Sequence, residues 1–421
     1  MRRASLALLA LAACAPPPQT VVGVTSDPSA PPTAPAPPPA LAPAPAKTAA
    51  APPPPVRTEP VFSTKDDPVI AAILGHGGAA LKTVLASPET YRFQVLYGIV
   101  HEGASPSIER HGYRADAEYF FPASSMKVPV TLAAYDWAAA RPWLGRDASM
   151  KLYPVSGAGD PITTTLARET YRALIVSDNS CANHVLQIVG HREANETLWA
   201  LGLKSARVRG GFEATDPAEL SPKIEVGDNV VAPRKSDLVL PPNDAQKLEI
   251  GKAYIDGSGQ RKDTPMSFAD KNAIHIRDLQ DTLVRIMRPE LLPGAKPTAM
   301  AKDDLEYLRK TLGTLPSDSG LAGYDRNVVA DYPLVPFLRG IERVRVRGKF
   351  EIHSKVGQAF GFLIHNAYVV DKDTGRSFFL VAAIYANPDE VENDDIYAYD
   401  TIAFPALADV GEVFTRHAFG G

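Results

Sequence analysis

The chain has 421 residues, 45% hydrophobic and 22% charged, and 44 Lys and Arg against 48 Asp and Glu leave a formal charge of −4. That is an ordinary globular composition, and it excludes a strongly basic nucleic-acid binder. The 39 prolines are about twice the usual share and are unevenly placed. Residues 15–60 hold 17 prolines and 11 alanines with only four charges (Asp27, Lys47, Arg57, Glu59), leaving 22 prolines to the 361 residues that follow. Those 361 suffice for one large domain or two moderate ones.

At the N-terminus, Arg2-Arg3 precede an apolar run from Ala4 to Ala13 that ends Leu11-Ala12-Ala13-Cys14. A basic start and a short apolar stretch read as a secretory signal, too short for the roughly 20 residues of a membrane span. The ending resembles the bacterial lipobox, which implies that residues 1–14 are a lipoprotein signal and that Cys14 is lipidated. An ordinary cleaved signal with an incidental cysteine is the alternative. Residues 15–60 then read as a disordered Pro/Ala-rich tether and 61–421 as the folded domain. The only other cysteine is Cys181, so no internal disulfide is expected. Its apolar surroundings, Cys181 to Leu186, suit a buried small hydrophobe better than a reactive thiol.

From Pro68 to Leu85 the apolar positions Ile70, Leu74, Leu81 and Val84 have a helical period, interrupted by Gly77-Gly78. Tyr91 to His101 predicts a strand, Glu102 to Ser107 a turn, and Ile108 to Tyr119 a returning strand. The middle of the chain is mostly helical, with Leu166, Thr170, Ala173 and Leu174 on one face and Ile276, Leu279, Leu283 and Ile286 on another. The exception is Glu225 to Pro265, polar and turn-rich around Gly227-Asp228 and Asp256-Gly257. Phe350 to Lys355, Gly361 to Val370 and Ser377 to Tyr385 are strand-like, the last two joined by the turn residues Asp371 to Gly375. A final helix carries Ala403, Leu407, Val410 and Phe414 on one face, with Pro405 near its start or at a bend. Strands at both ends and helices between them predict an α/β (α+β) fold: an antiparallel sheet from both termini flanked by terminal helices, with an inserted all-helical lobe.

Three motifs, each occurring once, carry chemistry. In Ser124-Ser125-Met126-Lys127 the serine and lysine lie at i, i+3 on one helix face, where an amine can deprotonate a hydroxyl. Ser124 follows Phe121-Pro122-Ala123 near a helix N-terminus, where N–H groups favour an oxyanion. In Ser177-Asp178-Asn179 a hydroxyl can relay a proton and an amide can hold a carbonyl, although the same residues suit a plain helix cap. In Lys355-Val356-Gly357, at the end of a strand, a cation beside a small residue leaves room for substrate along the edge.

On these three motifs, with Ala182-Asn183 after the second and the run Asn272 to Leu279, the chain resembles the serine β-lactamase and penicillin-binding protein superfamily. The resemblance covers about Pro68 to Arg416 and is nearest to class A β-lactamases. It implies a β-lactamase-like fold, Ser124 as acylated nucleophile, Lys127 as its base, Ser177 as proton shuttle and Asn179 as clamp on a substrate amide. Lys355 is implied as carboxylate anchor beside Gly357, with the N–H groups of Ser124 and Gln358 as oxyanion hole. Glu213, 36 residues beyond Ser177, is implied as the deacylation base, a solvated loop glutamate being the alternative.

Two positions depart from the family. Val356 stands where Thr or Ser is usual, removing a hydroxyl for substrate, and Pro217 stands where an asparagine steadies the water. Asp216 is a substitute there, and the Glu225 to Pro265 insertion is expected beside that loop. The implied activity is β-lactam hydrolysis through an acyl-enzyme. The alternatives are a penicillin-binding peptidase or esterase with poor β-lactam turnover, and a non-catalytic cell-wall-binding module. The expected partners are a small β-lactam or peptidoglycan-derived substrate and, through Cys14, a membrane, with no nucleic acid. A monomeric lipoprotein facing the periplasm or cell exterior follows. No cofactor and no metal are expected: the nine histidines show no HExxH or paired metal spacing, there is no Gly-rich phosphate loop, and His353 reads as a strand residue.

Overall fold

The computed structural model describes residues 67–212, 218–328 and 330–420, so Cys14, the Pro/Ala-rich segment, Glu213, Asp216 and Pro217 lie outside the described residues. The helical period after Pro68 resolves into two helices, α1 (Pro68–Gly75) and α2 (Ala79–Ala86). Asp67 caps the first by accepting the Val69 and Ile70 N–H groups. The break falls at Gly77-Gly78, where a Cβ would stand 2.6 Å from Leu81 Cδ2 and 2.5 Å from Asp409 Oδ2 respectively. Asp409 uses that space to accept the Leu81 N–H, so a carboxylate from the far end of the chain caps α2.

Strand β1 (Gln94–His101) begins after Arg92 turns left-handed, and β2 (Ser107–Tyr113) ends before Arg114 and Asp116 do the same. The predicted strands ran past both turns because such backbone reversals at non-glycine residues leave no pattern in the sequence. Helix α3 (Lys127–Ala139) is buried almost all round and forms the centre of the inserted lobe. Around it lie the pair β3 (Met150–Leu152) and β4 (Ile162–Thr164), then α4 (Leu166–Ile175), α5 (Asn179–Val189) and α6 (His191–Ala200).

The polar stretch that follows combines turns and irregular chain with short strands. The strands are β5 (Leu220–Ser221), β6 (Ile224–Val226), β7 (Asn229–Val231), β8 (Arg234–Lys235), β9 (Glu249–Ile250), β10 (Ala253–Ile255), β11 (Arg261–Lys262) and β12 (Met266–Ser267). Gly227-Asp228 and Asp256-Gly257 do make turns, between β6 and β7 and between β10 and β11. The first half extends the inserted lobe in the sheet β4-β3-β6-β7, so that lobe carries strands as well as helices. The second half leaves the lobe.

Helix α7 (Ile276–Met287) follows, its first N–H at Ile276 donating to Asp116 Oδ1 at 2.8 Å. Then come α8 (Lys302–Gly313), α9 (Leu338–Ile341) and the meander β13 (Phe350–Ala359), β14 (Phe362–Asp371) and β15 (Ser377–Tyr385). The chain ends in β16 (Val391–Glu392) and α10 (Phe404–Phe419), with Pro405 in the first turn of the helix. The main sheet has the order β13-β14-β15-β1-β2, antiparallel throughout, and the two ends of the chain join where Gln94 faces Ala383. One face packs on α1, α2, α9 and α10 through Ile70, Leu81, Phe337, Leu363 and Phe414. The other packs on α3 and α7 through Leu132, Leu279, Leu283, Phe362 and Tyr368. This is the α+β arrangement expected from the sequence.

Helices α9 and α10 touch through backbone. A Cβ on Gly340 would lie 1.8 Å from Ala408 O, and one on Gly411 would lie 2.5 Å from Phe337 O. Gly340→Ala should therefore destabilise the protein by about 3 kcal/mol in chemical unfolding, as overpacking does. Gly75→Ala, with nothing within 4 Å of its Cβ, should be neutral or slightly stabilising in the same assay.

Candidate active site

The segment leading to Ser124 is held before it turns. Tyr119 N–H donates to Gln246 O at 2.8 Å and its hydroxyl to Asn272 O at 2.8 Å. Pro122 and Ala123, the latter left-handed at φ 47°, then start a 3₁₀ turn over Ala123–Met126 that runs directly into α3. Fully buried Ser125 ties the turn by donating its hydroxyl to Pro122 O at 2.6 Å. In a 3₁₀ turn side chains at i and i+3 eclipse, so half-buried Ser124 and Lys127 share a face.

Lys127 is 1% exposed, and its ammonium meets the second motif. It donates to Ser177 O and Asn179 Oδ1, each at 2.6 Å, and to Ser177 Oγ at 3.3 Å. Ser177 presents those two oxygens because its backbone is left-handed, φ 59°. Asp178 is the N-cap of α5, accepting Cys181 N–H at 3.0 Å while Arg172 grips its other oxygen at 2.9 and 3.0 Å. The cap reading therefore holds for Asp178, while Ser177 and Asn179 on either side of it face Lys127. Asn179 is the first helical residue, exposed; its Oδ1 faces Lys127, which leaves its NH₂ to donate outward. Cys181 is buried, and burial pushes its thiol up, as a structural cysteine requires.

Lys355 lies in the middle of β13, not at a strand end as the sequence suggested, because the pairing with β14 continues to Ala359. It is 2% exposed and donates to Ser177 Oγ at 2.9 Å and Val356 O at 3.0 Å. One hydroxyl therefore receives two ammonium groups. Burial, and secondarily the charge of Lys127, drive Lys355 well below the usual lysine range. Mutual repulsion makes one proton of the pair easier to lose.

The two residues after Lys355 differ from expectation. Gly357 does more than clear a substrate path: a Cβ there would meet Pro122 O at 2.2 Å and Ser125 N at 2.9 Å. Its bareness lets edge strand β13 close on the Ser124 turn, one residue before the exposed Gln358. Val356 points to the other face of the sheet, 4% exposed among Ile352, Leu363 and Phe337. A valine here is a core residue, and the missing hydroxyl is explained by where the side chain goes. Opposite it, fully buried His365 accepts Phe337 N–H at 3.4 Å. His353 is a strand residue, its Nδ1 2.9 Å from Arg309 O.

Glu213 lies outside the described residues, but Phe212 before it does not. Asn183 Oδ1 accepts Phe212 N–H at 2.7 Å, and the Phe212 ring lies 5.3 Å from Lys127 Nζ. Asn272 Oδ1 accepts the Arg209 and Gly210 N–H groups at 2.7 and 2.9 Å. Asn183 and Asn272 were quoted in the sequence without a role, and they anchor the approach to Glu213. For Asn183 the signal was available: it follows Asn179 by four residues, on the same helix face. Among the described residues no group of three or more His, Cys, Asp or Glu could hold a metal.

The buried second ammonium has a measurable cost. Lys355→Met should abolish substrate processing yet raise stability by about 1 kcal/mol at pH 7. A lysine depressed in the native state penalises folding fully below its native value. The penalty fades as pH rises from that value to about 10.4, where the unfolded lysine also loses its proton. The gain from Lys355→Met in denaturant unfolding should therefore shrink between pH 7 and pH 10.

A family model described as the beta-lactamase enzyme family matches residues 95–294, a span that includes Ser124, Lys127, Ser177 and Asn179. No curated protein matches the chain. Among solved structures the chain is similar to a beta-lactamase from Sphaerobacter thermophilus, at 12% identity and TM-score 0.49 over 83% of this chain and 96% of that one. A class A beta-lactamase representative from Bacteroides cellulosilyticus gives 12% and 0.45 over 80% and 95%. The chromosome-encoded beta-lactamase of Vibrio parahaemolyticus gives 15% and 0.46 over 81% and 98%. The family match lies across the first two motifs and the third meets them at one hydroxyl, so over residues 95–294 the chain is similar to the beta-lactamase enzyme family.

Proposed function

We propose that the protein is a serine hydrolase that opens β-lactam rings through an acyl-enzyme on Ser124. The observation that carries this reading is the Ser177 hydroxyl, 3.3 Å from Lys127 Nζ and 2.9 Å from Lys355 Nζ. A hydroxyl so placed can pass a proton toward a leaving nitrogen while the pair of cations attracts a carboxylate. In the proposed cycle, Lys127 first gives up a proton, its free amine then takes the Ser124 proton, and Ser124 Oγ attacks the lactam carbonyl. The N–H groups of Ser124 and Gln358 hold the oxyanion. Ser177 delivers a proton to the ring nitrogen as the C–N bond breaks. The Asn179 NH₂ holds the acyl side chain's carbonyl, and Lys355 holds the substrate carboxylate. Glu213 then takes a proton from water, which adds to the acyl carbonyl and releases Ser124.

Val356 supports a second reading. With that side chain in the core, the position after Lys355 offers substrate no hydroxyl, and a peptidase or esterase with slow β-lactam turnover fits as well. Purified protein should hydrolyse a chromogenic cephalosporin, and Ser124→Ala should lower turnover by about 10³-fold or more. A long-lived penicillin adduct without turnover favours the second reading, and no adduct at all favours a non-catalytic wall-binding module.

We further propose that Cys14 is lipidated and that residues 15–60 tether the enzyme to the outer face of a bacterial membrane. The support is the basic and apolar N-terminal run ending Leu11-Ala12-Ala13-Cys14 and the Pro/Ala-rich stretch after it. Cell fractionation should find the wild type with membranes and Cys14→Ser in the soluble exported fraction. Equal partitioning of the two would contradict the anchor.

A further inference from the structure

The second half of the polar insertion crosses from the inserted lobe to the chain that follows β15. Strand β10 pairs in parallel with β16, Ala253 facing Val391, and Lys252 N–H donates to Glu390 O at 2.7 Å. Strands β9 and β12 pair with each other, Ile250 facing Met266 and Glu249 facing Ser267. Phe268 follows at once, its N–H donating to Leu248 O at 3.0 Å, and its side chain is fully buried. Its ring is 5.6 Å from Tyr119 and 5.9 Å from Phe121 on the segment that enters the Ser124 turn. It is also 5.6 Å from Phe360 and 6.2 Å from Phe362, on the turn that ends β13. Phe121 and Phe360 touch each other edge to face at 5.2 Å.

These contacts bear on the two backbones that the reaction needs in register. Phe121 is three residues before Ser124, and Phe360 is two after Gln358. Phe360 and Gly361 are the two loop residues between paired Ala359 and Phe362, both at positive φ, 49° and 72°. A phenylalanine is a poor choice for that conformation and holds it only if its ring is fixed by neighbours. Phe268 touches rings on both sides, adding to the direct Phe121–Phe360 and Tyr119–Phe362 contacts.

We propose that Phe268 is a positioning residue for acylation: delivered by the strap 248–268, it fixes the Ser124 turn against the end of β13 and so sets the spacing of the two oxyanion-binding N–H groups. This rests on the acyl-enzyme reading above. The full-length wild type, Phe268→Ala and Phe268→Leu would be compared in two ways. By hydrogen exchange, Phe268→Ala should lose protection in residues 119–126 and 357–362 while α10 keeps its own, and Phe268→Leu should restore it. In single-turnover labelling with penicillin, adduct formation on Ser124 should slow about 10- to 100-fold in Phe268→Ala with little change in the concentration giving half-maximal rate. Phe268→Leu should recover to within about threefold of wild type. Unchanged protection in both segments, or a loss shared equally by α10, overturns the proposal whether or not the protein reacts with penicillin. So does an unslowed adduct in Phe268→Ala. A wild type that forms no adduct counts instead against the β-lactam reading, and the exchange data still decide the role of Phe268.

Discussion

Two buried ammonium groups meet at one hydroxyl, and the rest of the site is arranged so that they can. Lys127 begins α3, Lys355 sits mid-strand on β13, and Ser177 belongs to the turn before α5. None of these elements is adjacent to another in sequence. Burying one cation costs several kcal/mol, and burying two near each other costs more. Lys355 donates to the shared hydroxyl and the Val356 carbonyl, and Lys127 has the Ser177 carbonyl and the Asn179 amide among its partners. The Ser177 hydroxyl is the point at which the two ammonium groups are held together.

The backbone around this pair stores strain. Ala123, Ser177 and Phe360 all hold the left-handed conformation, which costs a non-glycine residue about 1–2 kcal/mol. Each is fixed by packing or hydrogen bonds that would be lost if it relaxed. Ser125 ties the turn after Ala123, Lys127 binds the Ser177 carbonyl, and an aromatic cluster encloses Phe360. Gly357 completes the arrangement by letting strand and turn approach to a distance that any side chain would forbid. The core therefore holds the reactive geometry against its local preference, and it does so from both faces of the sheet.

Much of this was legible in the sequence, for a physical reason in each case. Helices such as Leu166–Ile175 and Ile276–Met287 bury one face and so advertise their period. The motif Ser124 to Lys127 survives any change of helix type, since i and i+3 share a face in both. What could not be read depends on distant partners. The gap at Gly77-Gly78 is set by Asp409, more than 300 residues away, and Val356 reads as a lost substrate contact until its face of the sheet is known. The short strands between Leu220 and Ser267 have too few residues for a period and are held by pairing with β3 and β16. Phe268 follows them as a single aromatic whose ring partners are more than 90 residues away in sequence.

The most direct test of the central claim is peptide mapping by mass spectrometry after brief exposure of the intact protein to a penicillin. One covalent adduct on the peptide carrying Ser124, its yield reduced when Lys127 is replaced by alanine, is the predicted result. An adduct on another residue, or an unchanged yield at Ser124 without Lys127, would contradict the account.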